Sequence, residues 1–418
     1  MYKSGKCIIR SCKLVEISVP ITIPRRWKKK KEHWSVLAKK QYPVDKALEH
    51  FDDFYKTVYG TRWPSIRLAL LSPHKYCAVV NNFATTESTV SQLEEIGALN
   101  LKTVFKLEKE RILQEKQEEK RKHNLETIFE LDRKLDKIVF DKQQEERLSL
   151  YAQKGDHERP PVGKVFSFEQ GNISRFPSPK RDITGVLNYY LLDGGSLLPV
   201  LALDLRPGDR ILDMCAAPGG KSLIMLQTLF PDLIVCNDVS LSRTNRIRDV
   251  LKQYLYDLDE WKNRLIITQK DGRVIDDFNV YNKILVDVPC TTDRHSLHEN
   301  DNNIFAPGRT KERLQIPEIQ SELLFQALKI VRPGGTVIYS TCSLSPIQND
   351  GVVHMALRKI WEESKVEIVV KDMTTSLQVV QNIFKFGENL GLKYGHLVLP
   401  FLPCNFGPMY FCKLVRTK

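Results

Sequence analysis

A doubly wound α/β fold is predicted for the C-terminal part of this 418-residue chain. The first observation is a series of short apolar runs after about residue 185 that end in acidic or small residues: "RILDM", "LIVCND", "RLIITQKD", "NKILVDVP" and "GGTVIYSTC". Continuous apolar runs are typical of parallel strands that are covered on both faces. The second is the length of the segments between the runs, which leaves room for crossover helices. The third is a final pair of runs, "HLVLPF" and "MYFCKL", which we expect to close the sheet as antiparallel strands.

The composition limits the classes of function that the chain can have. With 42% hydrophobic residues it can bury a large core, so we expect one main domain with attachments. A net charge of +12 favours a polyanionic partner, because clustered Lys and Arg release counterions from a phosphate backbone. A basic soluble protein without such a partner is the alternative. No apolar run is long enough to predict a membrane span.

The cysteines are scattered along the chain. There are nine, without a CxxC pair, which argues against a zinc site and against the disulfide framework of a small secreted protein. Such thiols fit a reducing compartment. We therefore expect no metal site.

Residues 1–35 are predicted to be a basic targeting segment. It contains "RRWKKKK", and Glu16 is the one acid before that run ends. This imbalance is typical of a mitochondrial transit peptide. A basic nucleic-acid-binding or nuclear-targeting arm is the alternative.

Residues 36–99 are predicted to form an N-terminal helical subdomain. Aromatic and basic side chains are interleaved there, which fits stacking surfaces for RNA bases or, as we favour, the packed core of the subdomain. The aromatic residues concerned are Tyr42, Phe51, Phe54, Tyr55, Tyr59 and Trp63.

Residues 100–158 are predicted to be a charged helical insertion and linker. Lys, Glu, Gln, Arg and Leu dominate most of it, but "QEKQEEKRKHN" has no apolar side chain to bury. The turn-rich "QKGDHERPPVGK" marks the start of the main domain, residues 159–418. Within that domain the basic, Pro-broken "SRFPSPKRDITG" is a candidate loop for phosphate contacts.

The stretch "RILDMCAAPGGKS", residues 210–222, predicts a ligand site at a strand end. In an open parallel sheet, ligands bind beyond the carboxyl ends of the strands, here from Asp213 onward. Alanines and glycines in the loop let a ligand approach the backbone, and the next helix begins with free amides. A phosphate-binding P-loop is excluded because Cys215 stands where its first glycine is required.

Acidic residues follow the next predicted strands as well. Asp238 lies where an acid can accept both hydrogen bonds of a ribose diol. Asp271, with Gly272 behind it, is predicted to end the third strand, and Asp287 the fourth. Each alone fits helix capping, but one nucleoside ligand explains them together. This pattern does not separate a dinucleotide from S-adenosylmethionine.

Two cysteines follow the fourth and fifth predicted strands. If these strands are neighbours, Cys290, Cys342 and Asp287 face one pocket. This set suits methylation of cytosine at C5, because a thiolate that adds to C6 turns C5 into an enamine carbon. A protonated acid near N3 stabilises the adduct, and a second thiol assists the departure of the first. Which cysteine attacks stays open on these grounds.

The three stretches "MCAAPGGKS", "DVPCTTDRHS" and "YSTCSLS" resemble, in that order, the Sun-domain RNA cytosine-5 methyltransferases. The similarity extends over about residues 160–418. Within the family, "LNYYLLDGGSLLPVLAL", "NNIFAPGR" and "NFGPMYFCK" look most like the mitochondrial member that modifies small-subunit ribosomal RNA.

The resemblance implies a Rossmann-like methyltransferase sheet, S-adenosylmethionine as cofactor and a role for each site residue. Cys342 would be the nucleophile, Cys290 would aid product release, and Asp287 would lie beside the methyl donor and N3 of the base. Asp238 would hold the ribose. The other cofactor-binding residues implied are Cys215, Pro218, Gly219, Gly220, Lys221, Arg243, Asp271 and Gly272.

The resemblance also implies partners and a location. We expect ribosomal RNA, mitochondrial ribosome subunits and a helical-repeat partner of the mitochondrial termination-factor type, in the mitochondrial matrix. The alternatives are a ribosome-assembly scaffold that binds RNA through a methyltransferase fold, and a methyltransferase for another RNA such as tRNA. Phosphate contacts are expected from Arg294, Arg309, Lys311 and Arg313. Of the nearby histidines, His295 and His298 are expected to form hydrogen bonds or face RNA rather than to transfer protons.

Overall fold

The computed structural model describes residues 42–131 and 164–418. The predicted targeting segment at 1–35, the end of the charged insertion and the predicted boundary at residues 158 and 159 therefore lie outside the described residues. The described residues from Tyr42 onward belong to one compact unit.

The N-terminal part begins with two helices, α1 (Pro43–Tyr59) and α2 (Trp63–Leu71). Phe51, Tyr55 and Tyr59 recur at intervals of four along α1, so they share one face, and all three are buried. The interpretation of the aromatic residues as core is confirmed for these three and for Trp63.

A small antiparallel sheet follows, with the strand order β2, β3, β1, β4. Its strands are β1 (Tyr76–Val80), β2 (Leu99–Asn100), β3 (Val165–Ser167) and β4 (Tyr189–Asp193). Two helices belong to the same region, α3 (Thr86–Glu95) and α4 (Leu101–Leu131).

The small sheet corrects the prediction that residues 36–99 are helical throughout. The apolar run 76–80 forms a buried strand, whose backbone groups must find partners. It pairs with 165–166 on one side and with 189–193 on the other. The predicted subdomain therefore shares a sheet with the predicted main domain.

The large sheet is the predicted doubly wound structure, with the strand order β10, β12, β9, β8, β5, β6, β7 and with β11 on β12. Its strands are β5 (Asp209–Asp213), β6 (Pro231–Asn237), β7 (Leu265–Thr268), β8 (Lys283–Asp287), β9 (Thr336–Thr341), β10 (Ile368–Lys371), β11 (His396–Val398) and β12 (Met409–Arg416). β5 to β9 are parallel. The antiparallel pairing of the last strands is confirmed, because β11 pairs with β12 and β12 with β9.

Helices cover both faces of the large sheet. They are α5 (Leu197–Ala202), α6 (Gly220–Gln227), α7 (Leu241–Tyr254), α8 (Asp293–His298), α9 (Thr310–Ile330), α10 (Val352–Glu363) and α11 (Thr374–Leu377). One hydrophobic core contains side chains of α1, α9 and α10, and a second contains those of α5, α6 and α7. None of the described helices is long and apolar enough to cross a membrane.

The order of the strands identifies the edge of the sheet where a ligand binds. From β5 the chain continues to β6 and β7 on one side, and then returns to β8 and β9 on the other. The carboxyl ends of β5 and β8 therefore flank the point where strand order reverses, which is the usual ligand position in open α/β sheets.

Arg294 of α8 makes hydrogen bonds within the protein rather than a phosphate contact. Its guanidinium donates to the carbonyl oxygens of Ala69, Leu70 and Ser72 at 3.1 to 3.3 Å. It also donates to Gly407 at 2.8 Å and to Asn405 Oδ1 at 3.0 Å. The expectation for Arg294 is wrong, because all of these donors are used to join α2 to the C-terminal strands.

We expect Arg294→Ala to lower the free energy of unfolding by about 3 kcal/mol or more, because several buried carbonyl groups lose their donors. Arg294→Lys should restore little, since an ammonium group lacks the planar fork. Urea unfolding measures both changes. The control is Arg206→Ala, whose side chain is 75% exposed and whose loss should cost about 0.5 kcal/mol or less. Equal losses for the two alanine variants would contradict the structural role of Arg294.

Candidate active site

The loop between β5 and α6 forms one wall of a pocket. Gly219 has φ of +108°, a conformation that side chains with a Cβ rarely adopt. Gly220 begins α6, and a Cβ on it would lie 2.7 Å from the hydroxyl of Tyr190. One glycine is thus required by its backbone conformation, and the next by the closeness of β4.

The pocket is lined by the loop, by β4 and by the end of β8. Its lining residues are Tyr190, Leu192, Ser196, Asp213, Cys215, Ala216, Ala217, Pro218, Gly220, Lys221 and Asp287. It therefore brings together most of the residues predicted for the cofactor loop. A larger hollow of about 280 Å³, between residues 62–66 and 385–400, contains none of the predicted site residues.

Asp213 is the buried acid of this pocket. Its Oδ2 accepts a hydrogen bond from Ser222 Oγ at 2.6 Å. Its Oδ1 is buried and has no hydrogen-bond partner among the described residues. Burial raises the pKa of Asp213 to about 7, against the hydrogen bond from Ser222. A buried acceptor without a donor in the protein is one that a bound cation or polar group can satisfy.

Lys221 lies between the pocket and the end of β8. Its ammonium group forms an ion pair with Asp287 Oδ2 at 2.7 Å, and Ser340 Oγ donates to the other oxygen of Asp287 at 2.7 Å. Burial lowers the pKa of Lys221, but the attraction and the hydrogen bond of Asp287, together with Cys342 and Asp213, outweigh burial and the net shift is upward. Lys221 therefore stays protonated.

Asp238 and Arg243, the residues predicted for the ribose end of the site, lie next to each other. Asp238 is buried and pairs with Arg243 at 3.1 Å. The guanidinium of Arg243 also reaches the carbonyl oxygen of Ala217 in the pocket loop at 3.4 Å. The structure thus places Asp238 and Arg243 beside the loop, as the sequence predicts.

Asp271 and Gly272 lie in a turn rather than at a strand end, since β7 ends at Thr268. Asp271 forms an ion pair with Arg273 at 2.6 Å, and this contact lowers the pKa of the carboxyl group. A Cβ on Gly272 would lie 2.8 Å from Met214, which follows Asp213. This turn therefore packs against the base of the pocket loop.

The two predicted cysteines meet at the same edge of the sheet. β8 and β9 are parallel neighbours, and Asp287 lies opposite Ser340. The chain leaves both strands within a few residues, and Cys290 Sγ and Cys342 Sγ lie 3.0 Å apart. The hydrogen bond between the two thiols, together with burial and Asp287, holds the pKa of Cys342 well above its usual value. The free protein therefore keeps Cys342 protonated.

Comparison with known proteins agrees with this geometry. A family model described as 16S rRNA methyltransferase RsmB/F matches residues 200–408. The 5-cytosine rRNA methyltransferase NSUN4 of Xenopus tropicalis is 41% identical over 94% of this chain and 95% of its own length. The chain belongs to the RsmB/F family of RNA cytosine-5 methyltransferases.

A further relative is similar in sequence, and a solved structure is similar in fold. The mitochondrial tRNA (cytosine(34)-C(5))-methyltransferase of Danio rerio is 31% identical over 88% of this chain and 87% of its own length. The fold resembles the crystal structure of NSun6 from Pyrococcus horikoshii with SFG, with a TM-score of 0.55 and 18% identity over 88% of this chain and 98% of that one.

Sequence reasoning missed three side chains of this RsmB/F site. Tyr190 closes the pocket over Gly220, and Ser340 fixes one oxygen of Asp287. Asp293, three residues after Cys290, accepts a hydrogen bond from Ser343 Oγ at 3.0 Å, next to Cys342. Because these partners come from distant segments, the sequence gives little signal for them. The position of Asp293 beside a cysteine motif is the one available hint.

Arg309, Arg313 and the two histidines of the prediction make internal contacts. Arg309 pairs with Glu312 at 2.7 Å, and the Arg313 guanidinium lies 4.4 Å from the ring centre of Phe305. His298 Nε2 lies 2.8 Å from the carbonyl oxygen of Leu70, and His295 Nε2 lies 3.1 Å from that of Asp301. Both histidines thus take part in hydrogen bonds within the protein. Phosphate contacts by Arg309, Lys311 and Arg313 stay a prediction.

Proposed function

We propose that this RsmB/F enzyme uses S-adenosylmethionine to methylate C5 of a cytosine in mitochondrial small-subunit ribosomal RNA. The observation that carries the proposal is the pair of thiols, Cys290 and Cys342, 3.0 Å apart beside the Lys221–Asp287 ion pair. Two thiols and a carboxylate at one edge of the sheet can supply the nucleophile, the acid and the base that covalent C5 methylation of a pyrimidine uses.

The residues that line the pocket support S-adenosylmethionine as its ligand. The unpartnered Oδ1 of Asp213 suits the α-ammonium group of its methionine part. Asp238 suits the ribose diol, and the Gly219–Gly220 turn leaves room for the ligand at the backbone. Asp271 and Gly272 are assigned to the adenine end. S-adenosylmethionine supplies an electrophilic methyl carbon.

Cys342 is assigned the attack on C6 of the cytosine. Its sulfur forms the S–C6 bond, and the electron pair of the C5=C6 double bond moves toward N3 and C5 of the ring. Cys342 reacts as the thiolate. The Lys221 ammonium favours this form, although the hydrogen bond with Cys290, burial and Asp287 keep the net pKa of Cys342 above its usual value. Asp287 is assigned to N3 of the base: its carboxylate takes the proton that the Cys342 thiol loses and passes it to N3, where it neutralises the charge that develops.

Cys290 is assigned the release of the product. Once C5 carries the methyl group, the Cys290 thiolate takes the proton that remains on C5. The electron pair of that C–H bond re-forms the C5=C6 double bond, and the S–C6 bond to Cys342 breaks. The short distance between the two sulfurs lets both reach the same ring edge.

The choice of ribosomal RNA rests on the relatives. The chain is 41% identical to an rRNA methyltransferase and 31% identical to a tRNA methyltransferase. The target cytosine must also be unstacked, because C6 of a stacked cytosine is inaccessible to the cysteine sulfur. The basic N-terminal segment supports import into the mitochondrial matrix, and a helical-repeat partner of the termination-factor type would bring the enzyme to the ribosome. A tRNA substrate and a role as an assembly scaffold are the competing outcomes of the tests below.

We expect Cys342→Ala to lower methyl transfer to RNA by about a thousand-fold or more, because the covalent route is lost. Cys290→Ala should instead accumulate a protein–RNA adduct that survives a denaturing gel. Transfer of labelled methyl groups and gel shift measure the two effects. Cys412→Ala, which removes a buried thiol from β12, is the control and should do neither. Full activity of Cys342→Ala would overturn the assignment of the nucleophile.

Mapping of 5-methylcytosine in mitochondrial RNA should show one or more sites in small-subunit ribosomal RNA that disappear when this protein is absent. Expression of the full chain should restore them, and Cys342→Ala should not. Loss of tRNA sites alone would favour the tRNA alternative. Normal ribosome assembly with Cys342→Ala, but not without the protein, would assign it an additional scaffold role.

The affinity for S-adenosylmethionine should fall about five-fold to ten-fold as the pH decreases from 7.5 to 6. The reason is that burial raises the pKa of Asp213 to about 7, so acid protonates the carboxylate that the ligand ammonium needs. Equilibrium binding without RNA measures this effect. Asp213→Asn should bind weakly with little dependence on pH in this range. Constant or rising affinity toward pH 6 in the unmodified protein would contradict the role of Asp213.

A further inference from the structure

Asp293 is a fully buried carboxylate between the two cysteine loops. Its Oδ1 accepts hydrogen bonds from Thr291 Oγ1 at 2.6 Å and from Ser343 Oγ at 3.0 Å. Its Oδ2 accepts hydrogen bonds from the backbone N–H of Leu344 and from the hydroxyl of Tyr55, both at 2.7 Å. Four donors from three segments therefore share one carboxylate.

The donors to Asp293 immediately flank the two thiols. Thr291 follows Cys290, and Ser343 follows Cys342. The hydroxyl oxygens of Thr291 and Ser343 lie 2.9 Å from each other. Because each hydroxyl has one proton and donates it to Asp293, the carboxylate is the group that joins the two loops. We call the contacts of Asp293 with Thr291 and Ser343 the junction. Because Cys290 and Cys342 each directly precede one of these residues, a change in the junction changes the distance between the two sulfur atoms.

A second set of hydrogen bonds, from Gln348 and Gln320, holds the chain on both sides of Cys290. Gln348 accepts from the backbone N–H of Thr291 and donates to its hydroxyl, both at 3.1 Å. Gln320 of α9 donates to the carbonyl oxygen of Pro289 at 2.8 Å. A buried polar network with its members bonded to one another resists distortion, because every displaced group loses a partner that water does not replace.

The third segment is the N-terminal helix α1. Tyr55 reaches Asp293, and Tyr59, one turn later, donates to the carbonyl oxygen of Leu344 at 2.6 Å. Both rings are buried in the core that α1 shares with α9 and α10. Helix α1 therefore contacts both cysteine segments, at Asp293, three residues after Cys290, and at Leu344, two residues after Cys342.

We propose that Asp293 is a positioning residue that sets the distance between the thiols of Cys290 and Cys342, with Tyr55 coupling helix α1 to that distance. The roles of the cysteines in methylation rest on the proposed function. The distance itself does not, since it is a property of the free protein. Asp293 acts through the two loops and touches no reacting atom.

The geometry predicts which substitution Asp293 tolerates. An Asn can place its carbonyl oxygen toward Leu344 N–H and Tyr55, which are donors. Its NH₂ group then faces two hydroxyls, and a hydroxyl accepts as well as donates. Asp293→Asn should thus retain the junction, whereas Asp293→Ala removes it. An electrostatic role would give a different result, because removing the negative charge favours a nearby thiolate with either variant.

The test measures the distance between the thiols by their oxidation in the free full-length chain. Diamide removes two electrons and two protons from the thiols, which join as a disulfide while diamide is reduced to the hydrazine. Peptide mapping quantifies the bond between Cys290 and Cys342 against time. We expect Asp293→Ala to slow its formation about ten-fold or more, and Asp293→Asn to stay within about three-fold of the unmodified protein. Removal of a negative charge alone would instead accelerate it.

Methylation of a ribosomal RNA fragment gives the second readout. Asp293→Ala should lower kcat about ten-fold or more with little change in KM for RNA, and Asp293→Asn should restore most of kcat. Should the unmodified protein not methylate this RNA, the proposed function fails while the oxidation test still decides the role of Asp293.

A matched pair of tyrosine variants tests the contribution of helix α1. Tyr55→Phe removes one donor to Asp293 and should slow disulfide formation about two-fold to five-fold. Tyr281→Phe removes a similar hydrogen bond, from the Tyr281 hydroxyl to Asp277 at 2.9 Å. Tyr281 precedes β8, at the end of that strand away from Cys290, so this variant should leave the rate of disulfide formation unchanged. Circular dichroism verifies that each variant is folded. An unchanged rate in Asp293→Ala, equal losses in Asp293→Asn and Asp293→Ala, or equal rates in the two tyrosine variants would overturn the proposal.

Discussion

The parallel pairing of β8 with β9 is the constraint on which the rest of the site depends. It sets Asp287 opposite Ser340, so both strands end together and their following loops leave at the same edge of the sheet. Cys290 and Cys342 are 52 residues apart in the sequence, yet their sulfurs lie 3.0 Å apart for this reason. A shift of the pairing by one residue would turn the side chains of one strand to the other face. The long helix α9 makes the crossover that a parallel pair requires.

This edge of the sheet removes charged side chains from water, so their charges must be balanced by nearby groups. Asp213, Lys221 and Asp287 are brought close together, and among the described residues Lys221 pairs with Asp287 rather than with Asp213. Burial raises the pKa of Asp213, since a carboxylate out of water is disfavoured in its charged form. Such a pocket favours a positively charged ligand over a phosphate. This agrees with the absence of the first P-loop glycine, where Cys215 stands, and with the family to which the chain belongs.

The sequence predicts the parts of this structure that depend on local pattern. Apolar runs ending in acids predict the parallel strands, and the motifs predict the pocket loop and both cysteines. It does not predict β10, a four-residue edge strand, because its apolar run is short and does not end in an acidic or small residue as the runs of the central strands do. Nor does it predict that Arg294 bonds to carbonyl oxygens within the protein. The sequence around an arginine does not distinguish one that contacts phosphate from one that contacts buried carbonyl groups. Contacts between distant segments, such as Tyr55 with Asp293, leave no local pattern at all.

The N-terminal helices belong to the site for a related reason. A catalytic unit that began at residue 159, as the composition suggests, would leave the carboxylate of Asp293 without Tyr55 and the fork of Arg294 without the carbonyls that end α2. Buried charged groups that lose their partners are costly, and these two lie in the helix that directly follows the Cys290 loop. The strands at 76–80 and 189–193 add a second connection, because they pair across the predicted boundary. Folding of the segment from α1 onward and formation of the thiol pair are therefore parts of one cooperative structure.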